Sequence, residues 1–143
     1  MSWAASAFEA KKNQEERQRF KDTLESQRRS QIAGEAPYLW ERFKDALKSE
    51  TDSFNDLVPG AINAGIFFPG LTVLVIRSNK ARLRVEFKAF EQVILYEATK
   101  NKALLGKGSF IFRVKDGDVY LFGRDGNPNN PQSAVSEVLD YLV

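Results

Sequence analysis

The sequence predicts an α+β domain: N-terminal helices, a four- to five-stranded antiparallel meander, and a C-terminal helix. Three observations carry this. Residues 4–32 have the composition of a helix and residues 37–57 show helical periodicity. The period then switches to two from Leu71 onward. The chain closes on Asn130-Pro131 followed by an apolar stripe, the pattern of a capped helix.

Residues 4–32 are rich in Ala, Glu, Gln, Lys and Arg, with no Gly or Pro, so they favour helix. Their apolar side chains are sparse. Trp3 and Phe8 stand near the start, then Phe20, Leu24 and Ile32, and between Glu9 and Arg19 only Ala10 is apolar. A helix so polar cannot be wholly packed on a core. Gly34 is expected to end it and Pro37 to begin a second helix, over 37–57. In that second helix Leu39, Trp40, Phe43, Ala46, Leu47, Phe54 and Leu57 recur at three- and four-residue spacing. The division expected from this is a polar helix over 1–34 and a single α+β domain over 35–143.

Pro59-Gly60 stops the helical pattern, and Ile66-Phe67-Phe68 suits a short edge strand. Leu71–Arg77 is apolar on both faces, as a central strand would be. Ser78-Asn79 suits a tight turn. Ala81–Lys88 alternates strictly, with Ala81, Leu83, Val85 and Phe87 on one face and Arg82, Arg84, Glu86 and Lys88 on the other. Phe90–Glu97 reads as a third strand and Thr99–Lys107 as a lysine-bearing loop. Ser109–Lys115 and Asp118–Phe122 flank Asp116-Gly117, a strong hairpin signal because both turn residues need positive φ. Short connections favour antiparallel neighbours.

Composition narrows the chemistry. The 143 residues include no His and no Cys. Histidine proton shuttles, thiol nucleophiles and disulfides are therefore outside its repertoire. Asp116, Asp118 and Asp125 lie in turns, where Asp bonds its own backbone, and neither turn has the spacing of a calcium loop. The Gly-rich stretch Leu105–Ser109 lacks the spacing of a phosphate loop. No catalytic residue, metal site or cofactor is therefore expected, and the chain reads as a non-enzyme. An enzyme working only through Asp, Glu, Lys, Arg or Tyr is the remaining catalytic alternative. No apolar run reaches the ~20 residues of a membrane span. The start of the chain lacks the charged and apolar regions of a signal peptide, so a cytoplasmic location is expected.

The net charge of +2 is unevenly spread. Residues 77–115 hold ten basic and three acidic side chains, whereas residues 116–143 hold one and five. Arg82, Arg84 and Lys88 project from one strand, and Arg113 and Lys115 alternate the same way on another. Such a face suits an anionic ligand, nucleic acid or a phospholipid headgroup. The same alternation suits a merely solvated face, because Glu86, Glu91 and Glu97 can pair across strands with the cations. Stacking aromatics are missing from that side, since Phe87, Phe110 and Phe112 alternate to the other. The second candidate is the first helix, where Trp3 and Phe8 are ring anchors for a second copy or another protein. The leading expectation is a protein-interaction or ligand-binding module.

Overall fold

A helix of 55 residues, α1 (Trp3–Leu57), dominates the computed structural model, which describes residues 2–67, 72–77 and 80–142. At 1.5 Å per residue α1 is about 80 Å long. Ser2 caps it, its hydroxyl accepting from the N–H of Ala5 at 3.2 Å. Seven strands follow: β1 (Ile62–Phe67), β2 (Thr72–Arg77), β3 (Ala81–Lys88), β4 (Val93–Lys100), β5 (Ala103–Lys115), β6 (Asp118–Phe122) and β7 (Pro128–Asn129). They pair in sequence order, every neighbour antiparallel, as one meander. The chain ends in α2 (Pro131–Leu139) and a 3₁₀ turn, Asp140–Leu142. The α+β class stands as expected, with more strands than expected. Phe68, Leu71 and the Ser78-Asn79 turn lie outside the described residues.

The largest correction concerns α1, which runs unbroken through Gly34 and Pro37 where the sequence suggests two helices. Local propensity disfavours this, since Pro37 offers no N–H to the carbonyl of Ala33. Tertiary packing overrides it. The buried side chains Ile32, Ala36, Leu39, Trp40, Phe43, Leu47 and Thr51 form one continuous stripe across the suspected break. Gln31, just before it, donates to the carbonyl of Gly117 at 2.7 Å and so ties α1 to the β5–β6 turn. At the other end, the Asn55 amide bonds both backbone groups of Ile62 at the start of β1. From residue 31 to 57, α1 thus crosses the sheet from its β5–β6 end to its β1 edge.

The expected Thr99–Lys107 loop is also overturned. β4 continues to Lys100, the chain turns at Asn101-Lys102, and β5 runs on from Ala103. Both turn residues have positive φ, 52° and 69°. That is the pattern of a primed hairpin turn, here made without glycine. The Asp116-Gly117 turn has the same pattern, 52° and 83°. Leu57 is 83% exposed rather than part of the core face, and Phe90 is 97% exposed in the β3–β4 turn rather than in a strand.

The core lies between α1, α2 and one face of the sheet. Rings connect all three. Trp40 stacks on Phe43 and on Phe87, at 5.7 and 5.6 Å between centroids. Phe87 meets Phe112 edge-on, and Phe43 contacts Phe110. Tyr96 then links Phe110 to Tyr141 beside α2. The helix face and the sheet face chosen from periodicity are the faces that meet. Asn130 caps α2 by accepting from Ser133 N–H at 2.8 Å, with Pro131 in the first turn.

Candidate functional site

The candidate residues lie on two surfaces: the N-terminal arm of α1 and the sheet face turned away from the helices.

The arm is residues 3–30 of α1, about 40 Å of helix. Of these residues only Leu24 is even half-buried. Trp3, Phe8 and Phe20 are 84%, 69% and 70% exposed. The arm persists as helix because it grows from a packed segment, so it carries none of the nucleation cost that makes isolated helices marginal. Side chains four apart assist, as where the Gln18 amide donates to Asp22 at 3.0 Å. The expected anchors Trp3 and Phe8 are therefore presented to solvent, and Phe20 joins them.

The outer sheet face does not gather its cations into one patch. Arg82, Arg84 and Lys88 stand on β3, and Arg113 and Lys115 on β5, all turned from the core. The register separates them. Arg84 faces Glu97, which faces Lys107, whereas Lys88 faces Val93, which faces Ile111. Arg113 lies two residues and Lys115 four residues beyond Ile111. At about 3.3 Å per residue, Arg82 and Lys115 are roughly 30 Å apart along the strand direction. Between them runs an apolar band, with Leu95 and Ile111 each 39% exposed and Val93 and Phe122 half-buried. Glu86 engages the β3 cations, 3.9 Å from Arg84 and 3.4 Å from Lys88.

A different trio does converge. Arg84, Lys107 and Arg124 rim an open depression together with Ser109, Glu86 and Glu97, over a floor of Leu95 and Gly108. Lys107 belongs to it because β5 begins earlier than the sequence suggests. Arg124 belongs because the β5–β6 register, continued past Ile111↔Phe122, sets it beside Ser109. The Asp116-Gly117 turn held that signal: a two-residue hairpin fixes every pair that follows, including 109 with 124.

One titratable cluster lies on the core side. Burial, the neighbouring Tyr141 and the charge of Glu137 push the Tyr96 hydroxyl up to about 12. Burial, then the carboxylates of Asp125 and Asp140, raise Glu137 above the ordinary glutamate value. No group of three acidic side chains among the described residues is arranged to hold a metal ion. No helix among them is long and apolar enough to cross a membrane.

No protein-family model matches this chain, no curated protein matches its sequence, and no solved structure matches its fold.

Proposed function

We propose that this protein is a non-catalytic interaction module whose recognition element is the N-terminal arm of α1. A cytoplasmic location belongs to the same proposal. The observation that carries it is the exposure of Trp3, Phe8 and Phe20 on 40 Å of helix that adds nothing to the core. Exposed rings cost solubility without adding stability, and aromatic side chains dominate the energetics of protein interfaces. Polar surroundings suit an arm that must stay soluble until it docks. The test compares the full chain with a Trp3→Ala/Phe8→Ala/Phe20→Ala variant in affinity capture, with cross-linkers placed on the arm. The reading predicts a discrete set of proteins cross-linked to the arm and lost from the variant. The same capture by both proteins would overturn it.

The Arg84, Lys107 and Arg124 depression supports a second reading, a site for a phosphate-bearing ligand. Three cations around a hydroxyl suit such an anion, and Glu86 and Glu97 limit how strongly it would be held. Binding to nucleic acid or anionic vesicles should fall steeply with salt and weaken in Arg84→Gln/Lys107→Gln/Arg124→Gln. No binding to either at low salt removes this reading.

A further inference from the structure

We propose that β1 is a self-pairing edge, on which β1 of a second copy adds antiparallel about a two-fold axis at Gly65.

Asn55 closes the first position of this edge. Its amide donates to the Ile62 carbonyl at 2.7 Å and accepts the Ile62 N–H at 2.8 Å. A side chain here does what a neighbouring strand would do. Ile62 therefore turns both backbone groups away from β2, although it stands opposite Arg77 in the ladder. Backbone direction alternates along a strand, so Ala64 and Ile66 turn their N–H and C=O groups the same way. β1 is the first strand of the sheet, paired on one side only. Its outward groups at 64 and 66 lie on the side of β1 away from β2, the template side of an edge strand.

Natural edges are blunted by charge, proline, bulges or covering elements. The sequence of β1, Ile-Asn-Ala-Gly-Ile-Phe, has neither charge nor proline, and its ladder to β2 shows no bulge. Position 62 is covered by Asn55.

That stop selects the register. With 62 occupied, an incoming strand is offered the outward groups of 64 and 66. A second β1 presents the same two. Antiparallel pairing of Ala64 with Ile66 of the other copy, and of Ile66 with Ala64, satisfies all of their outward groups in four hydrogen bonds. Gly65 then lies on the axis, opposite its own equivalent. The set is self-complementary, as a two-fold interface requires. The rim beside the edge carries both charge signs, Lys44 and Lys48 with Asp52. Such a rim accommodates its own copy better than a rim of one sign would. The result is a continuous sheet through both copies, independent of the arm.

The cysteine-free chain gives a clean experiment. In this register the two residues at 65 form a non-hydrogen-bonded pair with Cα atoms about 4.5 Å apart, within disulfide range. Full-length Gly65→Cys should form a covalent dimer on mild oxidation, while Lys12→Cys on the arm should not cross-link under the same conditions. In sedimentation equilibrium the wild type should associate reversibly. Ala64→Pro removes only the outward N–H and leaves the β2 ladder intact. It deletes two of the four hydrogen bonds and should weaken the dimer by roughly tenfold or more. Removing residues 1–18 should leave the dimer unchanged, which separates this proposal from the arm. A wild type that stays monomeric, with Gly65→Cys uncross-linked, overturns the proposal. So does a dimer that survives Ala64→Pro or is lost with the arm.

Discussion

The ring of Tyr141 lies where a side chain on Gly106 would have to stand: an ideal β-carbon on that glycine meets Tyr141 Cζ at 2.8 Å. Two residues on, a β-carbon on Gly108 would meet Tyr96 Cζ at 2.7 Å. Both glycines sit on the core face of β5, and the two tyrosine rings lie against bare backbone in place of side chains. Gly106→Ala and Gly108→Ala should each destabilise by about 1–3 kcal/mol through overpacking. Urea unfolding measures this, and losses below about 0.5 kcal/mol would mean that the rings move aside freely.

Gly34 presents the opposite case. It lies inside α1, and a β-carbon there would meet nothing within 4 Å. Alanine should therefore stabilise by about 0.5–1 kcal/mol, the usual helical difference between the two residues. A lowered melting temperature would show that the helix needs its glycine.

Phe43 is fully buried and touches Trp40 and Phe110. Phe43→Ala should cost about 3–5 kcal/mol. Chemical denaturation that finds less than about 1 kcal/mol would place this helix face outside the cooperative core.

The arm should be dispensable for stability. Residues 2–18 are all exposed, so a chain lacking residues 1–18 should melt within about 2 °C of the full protein. Loss of cooperative unfolding in the truncated form would make the arm part of the monomer's fold.

Two groups give stability a dependence on pH. Glu137 is raised in the folded protein, so folding favours its protonated form. That contribution is present at low pH and lost as pH rises through the raised value. Glu137→Gln should therefore raise the melting temperature at pH 7, with the difference shrinking toward pH 4. Tyr96 acts at the alkaline end. The unfolded chain ionises near 10 while the folded one holds its proton to about 12. Stability should fall between those values, and by less in Tyr96→Phe. Thermal melts of wild type and variants across pH read both effects.

The sequence made the faces legible and the ends less so. Strict alternation in Ala81–Lys88 assigns Leu83, Val85 and Phe87 to the core, where they are 0%, 0% and 4% exposed. The Asn130-Pro131 cap is equally plain, because capping is local chemistry. Continuity through Gly34 was not legible. It depends on Ile32 and Ala36 finding partners on distant strands, which no local signal reports. Lys107 reads as a loop residue for a related reason: Gly106 and Gly108 beside it have loop composition, and only the packing of the Tyr141 and Tyr96 rings on them accounts for glycine in a strand. For the site, the sequence distinguishes exposed rings and cations from core residues. The Asp116-Gly117 turn gives the register that sets Arg124 beside Ser109, but nothing in the sequence gives the β3–β4–β5 register that parts Arg82 from Lys115 and joins Arg84 to Lys107.

Because α1 has no joint between its packed half and its arm, the arm inherits a rotational phase from the core. Trp3 and Phe43 belong to one helix, and at about 100° per residue the forty steps between them make about eleven turns plus roughly 40°. The direction in which Trp3 points is therefore set by the seating of Phe43 against the sheet. Inserting two residues near position 25 would swing every ring on the arm by about 200°. Inserting seven would return the rings nearly to their original bearing, about 10 Å further out. A partner that reads the arm and the body together would tolerate the second change far better than the first, whereas one that reads the arm alone would accept both.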